Sequence, residues 1–114
     1  MDEFAAALER LSQVPGVRGA MVVDAEAGVP VAAELESGLD GTAVAALTAS
    51  LFRRASRAVS TAEFGKVHTL QLEGENGHVV ACGNVDLAVV VITEAQAQLG
   101  RVRLEAQKAA EALP

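Results

Sequence analysis

The chain has 114 residues, 51% of them hydrophobic, and a net charge of −6 from nine Lys and Arg against fifteen Asp and Glu. That length supports one domain, residues 1–114, with a core of its own and no need of a disulfide or structural metal. The acidic balance argues against wrapping a phosphate backbone, the absence of Trp and Tyr argues against base stacking or an aromatic cage, and the single Cys82 excludes an intrachain disulfide and a zinc ribbon.

In residues 2–13, Phe4, Leu8 and Leu11 recur at helical spacing, with Asp2 a candidate N-cap and Pro15-Gly16 a stop. Residues 17–24 and 29–35 are expected strands joined by the hairpin Asp24 to Gly28, and Pro30 puts the second at a sheet edge. After the loop Gly38 to Gly41, where Asp40 or Thr42 could cap, residues 42–63 hold neither Gly nor Pro and are expected to form a long helix. Strands are expected at 66–72 and 78–82 around an Asn76-Gly77 turn that sets Glu75 opposite His78. The run 85–92 is apolar on both faces from Leu87 and is the expected central strand. Thr93 and Gln96 have capping-box spacing at the start of a last helix, 94–113. The order αββαβββα predicts an α/β fold of the α+β sandwich kind. Its five-stranded, mainly antiparallel sheet carries the long helix on one face and the N- and C-terminal helices on the other.

Chemistry is sparse. No phosphate-binding loop, dinucleotide fingerprint or nucleophile elbow is present, and Gly38 to Thr42 lacks the lysine a phosphate loop needs. His68, His78 and Cys82 are the only soft-metal candidates, and the predicted strands spread them too far along the ladder for one ion. Cys82 has no evident base beside it, and no two carboxylates pair for acid–base work. The expectation is a protein without enzymatic activity, metal or cofactor. The acidic start, Met1 to Phe4, is unlike a signal peptide, and no apolar run approaches a membrane span. A cytoplasmic protein with no nucleic-acid or membrane partner is therefore expected.

The long helix is the informative element. On a wheel of about 100° per residue, Val44, Leu47, Leu51, Ala55, Ala58 and Ala62 cluster opposite Arg53 and form the expected sheet-facing stripe. Arg53, Arg54 and Arg57 fall on the solvent side. A flank of Ala45, Ala49, Phe52, Ser56 and Ser60 is small enough for a second helix to approach and is the expected dimer surface. Charge singles out the same region. Residues 1–40 hold eight acids and two bases, a net of −6; residues 41–72 hold one acid and four bases, +3; residues 73–114 hold six and three, −3. A partner could be steered onto this basic middle.

Val14-Pro15-Gly16-Val17-Arg18-Gly19-Ala20, Val22-Val23-Asp24 leading to Gly28, the long middle helix, and Leu87 to Val91 running into the last helix together resemble the Roadblock/dynein light chain family, including its bacterial MglB-like members. The resemblance spans nearly the whole chain and carries no catalytic motif. It implies a homodimer in which the middle helices pair antiparallel and strands 66–72 meet edge to edge, bringing Val67, Thr69 and Gln71 to the seam. It also implies a Ras-like small GTPase as partner, regulated or scaffolded, with Arg53, Arg54 and Arg57 the residues assigned here to that contact. The alternative is a small-ligand sensor of profilin-like fold, its pocket lined by 17–24 and 85–92.

Overall fold

The computed structural model describes residues 2–84 and 86–113, with side chains from Phe4 onward. The elements are α1 (Asp2–Ser12), β1 (Val17–Asp24), β2 (Val29–Leu35), α2 (Gly41–Thr61), β3 (Thr69–Glu73), β4 (Gly77–Gly83), β5 (Leu87–Glu94) and α3 (Leu99–Glu111), in the expected order. The Asp2 side chain, expected to cap α1, and Val85, at the expected start of the central strand, lie outside what is described.

The five strands form one antiparallel sheet in the order β2-β1-β5-β4-β3. Alternation along each strand splits the interior into two cores. Val22, Val80, Val89 and Val91 point to the side of α1 and α3, where they meet Leu8, Leu11, Val102 and Ala106. Met21, Val23, Ala81 and Val90 point to the other side, against Ala45, Ala49 and Phe52 of α2. β5 lies at the centre with both faces covered, which is why its sequence is apolar without alternation. Each fully buried Val or Leu contributes about 1.5–3 kcal/mol of transfer free energy, so the two cores hold the layers together.

Turn chemistry sets the strand boundaries. Asp24 Oδ1 accepts from the N–H groups of Glu26 and Ala27 at 3.0 and 2.9 Å, closing the β1–β2 connection. Gly28 follows with φ +72°, and a Cβ there would stand 3.4 Å from Ala46 Cα, so α2 packs on this turn through a residue without a side chain. The β3–β4 turn differs from expectation. Gly74 N–H donates to Gly77 O at 2.9 Å, so Glu75 and Asn76 are the central residues and Glu73, not Glu75, faces His78. Gly77 belongs to the ladder opposite Glu94, where a Cβ would stand 2.6 Å from Thr93 O.

Two other boundaries move. β3 begins at Thr69 rather than Lys66. α3 begins at Leu99 rather than at residue 94, because Thr93 remains in β5, paired with Val17 and His78, and its hydroxyl donates to Glu94 O. Thr93 therefore caps nothing, and Gln98 stands at the N-cap without a side-chain bond. No described helix is long and apolar enough to cross a membrane.

Candidate interaction surface

α2 starts where Asp40 Oδ1 accepts from Ala43 N at 3.0 Å, one of the two caps expected. Its path over the sheet is set by two contacts with the β1–β2 turn. One is the approach of Gly28 to Ala46 and Ala49. The other is the Arg53 guanidinium, whose Nη1 donates to Ala25 O at 2.8 Å and to Glu26 O at 3.2 Å. Together they rotate the helix so that Ala45, Thr48, Ala49 and Phe52 face the sheet and are buried.

That rotation corrects the helical-wheel reading. Ala45, Ala49 and Phe52 are core residues, at most 3% exposed, and are not available to a second helix. Of the stripe expected to face the sheet, Leu47 is 67% exposed and Leu51 40%, Ala58 and Ala62 are exposed as well, and only Val44 and Ala55 are half-buried. The physical reason is size. A helix that must approach glycine and backbone closely does so with Ala and Thr, whereas the wheel assigned the more apolar arc inward on composition alone. Ser56 is half-buried and Ser60 exposed.

α2 lies over β2, β1 and β5. On the same side, the β4–β3 end of the sheet keeps Leu70 and Val79 only half-buried and Leu72 exposed. Phe64, just beyond the helix, is 80% exposed. Leu47 and Leu51 on the outer stripe of α2, Leu72 at this end of the sheet and Phe64 are four of the exposed large hydrophobics among the described residues. Such surface on a small domain marks association.

The arginines divide. Arg53, Arg54 and Arg57 are all exposed, but Arg53 is tied to the β1–β2 turn. Among the described residues the ion pairs are Arg18–Glu36 and Lys108–Glu105, so no α2 arginine is neutralised by an acid. Arg53 and Arg57 rim a groove of about 490 Å³ that is floored by Phe52 and faced by Glu26 and Asp86.

The two sheet edges are unlike. β2 carries Pro30, and its register with β1 shifts between Val22 and Val23, leaving Val31 as an extra residue. A proline and a bulge are devices that discourage a further strand. β3 has neither, and its five residues pair with β4 without a break. Of the residues expected at this edge, Thr69 accepts from Gln107 Nε2 at 3.1 Å and Gln71 accepts from Arg103 Nη1 at 3.4 Å, both on the α3 side. Val67 precedes the strand and packs half-buried on the α2 side.

Cys82 is buried on the α3 side with Thr69 Oγ1 at 3.5 Å from its sulfur. Burial pushes its thiol up, against the lowering effects of the Thr69 hydrogen bond and Arg103. A buried thiol held in its neutral form is a poor nucleophile. His78 Nε2 is bound to Ala95 O at 3.0 Å, while His68 is exposed on the approach to β3. The strands that might have lined a sensor pocket instead fill the two cores.

What the fold and surface define is an α+β sandwich with one long helix and one clean strand edge presented outward. The chain belongs to the Roadblock/LC7 domain family, whose model matches residues 3–93, a family of non-enzymatic adaptors and regulators. Across 104 residues it is 30% identical to MJ1340 of Methanocaldococcus jannaschii, an uncharacterised protein, covering 91% of this chain and 90% of that one. Among solved structures it is similar to Myxococcus xanthus MglB, with a TM-score of 0.85 at 21% identity over 96% of this chain and 84% of that chain. The Roadblock/LC7 domain from Streptomyces avermitilis gives 0.82 at 17% identity over 94% and 91%. At such identities these two likenesses establish the fold.

Proposed function

We propose that this chain is a non-catalytic, homodimeric Roadblock module of the cytoplasm that binds a Ras-like small GTPase and regulates or scaffolds it. The observation that carries the proposal is the outer face of α2. It sets two large leucines in solvent beside unneutralised arginines, next to an uncovered end of the sheet.

The dimer surface comprises Leu47, Leu51, Ala58 and Ala62, with Ser56 and Ser60 at its margin, Thr69 and Gln71 on the edge strand and Val67 just before it. Because the contact is between identical patches, every residue is buried twice. A stable interface must cover at least about 1,000 Å² in total.

GTPase binding falls to Arg54 and Arg57, with Arg53 partly committed to the fold. A flat, paired surface that holds a switch segment in one conformation biases the nucleotide state of its partner. The basic middle of an acidic chain steers an acidic partner to that place.

The test measures binding of the small GTPase encoded nearest this gene, loaded with GDP or with a GTP analogue. The expected result is a preference for one state, and a loss of at least about tenfold in affinity for the charge-reversed Arg54→Glu/Arg57→Glu chain. Equal binding by that double variant removes both residues from the contact. No binding in either state removes that GTPase as the partner.

A further inference from the structure

The connection from α2 to β3 builds a cavity. α2 ends in a reversal, in which Ala62, Glu63 and Phe64 donate their N–H groups to Ala58 O, Ser60 O and Val59 O, with Glu63 at φ +63° and Gly65 at φ +89°. These bonds occupy the last helical carbonyls and turn the chain back toward the sheet. β3 starts only at Thr69, opposite Cys82, so Lys66, Val67 and His68 stay out of the ladder. All three line a cavity of about 410 Å³ beside Phe52, a volume within the range of small-molecule sites. Ser56 and Ser60 of α2, Gly65, Gly83 and Asn84 complete its lining.

The polar groups on this lining share one character. Ser56 and Ser60 stand at i, i+4 on one face of α2. Among the described residues, Ser12 bonds its hydroxyl back to Leu8 O at 2.9 Å, whereas neither of these serines makes such a bond. Asn84 Oδ1 already accepts from the N–H groups of Asp86 and Leu87, at 2.8 and 3.0 Å, so its side chain offers the cavity only NH2 donors. Lys66 is exposed and is in neither of the ion pairs of the described residues. Every polar side chain on the lining can therefore donate, and none is a carboxylate. The neighbouring groove under Arg53 and Arg57 differs, because Glu26 and Asp86 face it.

We infer that this cavity binds a small organic carboxylate. Its charged end is held by Lys66 and by the donors of Ser56, Ser60 and Asn84, and its apolar body lies against Phe52 and Val67. One free lysine matches one negative charge, and a charge-assisted bond is stronger than a neutral one. A neutral ligand forgoes that bond, and a cation is repelled by Lys66. An anion without an apolar body gains nothing from Phe52 and Val67, which make no hydrogen bonds through their side chains. Neither Lys66 nor Phe52 belongs to the dimer or GTPase surfaces proposed above, so the site stands apart from both.

The experiment is titration of the isotope-labelled chain with hexanoate, followed through its amide resonances, with hexan-1-ol as the neutral control and acetate as the control without an apolar body. Hexanoate is expected to shift the amides of Ser56, Ser60, residues 65–68 and Asn84 along one saturable curve, with a dissociation constant of roughly 1 mM. Hexan-1-ol and acetate are each expected to bind at least about tenfold more weakly. Lys66→Gln changes an exposed residue outside the strands. It is expected to weaken hexanoate binding at least about tenfold and to leave hexan-1-ol binding unchanged. Lys108→Gln, on α3, is expected to change neither. Equal binding of hexanoate and hexan-1-ol by the unsubstituted chain overturns the site, and so does full hexanoate affinity in Lys66→Gln. Shifts that do not saturate, or that fall on other residues, overturn it as well. Sedimentation of the same samples reports self-association separately, so a monomeric chain contradicts the dimer and not this site.

Discussion

The two faces of α2 invert the usual expectation for a helix on a sheet. The inner face carries Ala45, Thr48, Ala49 and a single Phe52, and the outer face carries Leu47 and Leu51. In a monomeric domain the large aliphatics are ordinarily the ones withdrawn from water. Here close approach of α2 to the β1–β2 turn at Gly28 demands small residues inside, and the larger apolar area is left outside. On the proposed reading one face serves the fold and the other association, and substitutions on the two faces should then fail in different ways.

The largest effect is expected on the inner face. Phe52→Ala should lower unfolding free energy by about 3–5 kcal/mol through loss of burial and the cavity left behind, measured by urea denaturation at fixed protein concentration. Little change would mean that Phe52 does not hold α2 to the sheet. Next comes the outer face. Leu51→Asp should weaken self-association by at least about a hundredfold, because the isologous contact loses the leucine twice and gains two desolvated carboxylates. The circular dichroism of the resulting monomer should remain that of a folded chain. Loss of fold rather than of association would erase the distinction between the faces.

Smaller effects lie at the margin between them. Arg53→Ala removes the hydrogen bonds from the guanidinium to Ala25 and Glu26 carbonyls and should cost about 1–2 kcal/mol of stability. An unchanged chain would return Arg53 wholly to the partner-binding set with Arg54 and Arg57. Asp40→Ala removes the α2 N-cap and should cost about 1 kcal/mol, seen as a small shift in denaturation midpoint with dimerisation unchanged.

Much of the fold was legible because it rests on local signals. The apolar run from Leu87 marked the central strand, Pro30 marked an edge, Asp40 marked a cap, and Asp24 to Gly28 marked a hairpin. The misreadings have a common cause in long-range packing. Thr93 and Gln96 have the spacing of a capping box, but Thr93 is held in the ladder by Val17 and His78, far away in sequence. Asn76-Gly77 signals a turn, but Gly77 is needed in the ladder where β5 backbone passes close by. The rotation of α2 differs from the wheel's by roughly a third of a turn, because a wheel ranks arcs by hydrophobicity and has no knowledge of Gly28. The wheel sets Ala45, Ala49 and Phe52 toward a second helix, and the structure turns them onto the sheet.

The separation of a fold face from an association face is tested most directly by sedimentation velocity on the unsubstituted chain and on Leu51→Asp across micromolar concentrations. The account predicts a dimer for the first and a folded monomer for the second. A monomer for the unsubstituted chain, or a dimer unaffected by Leu51→Asp, would contradict it.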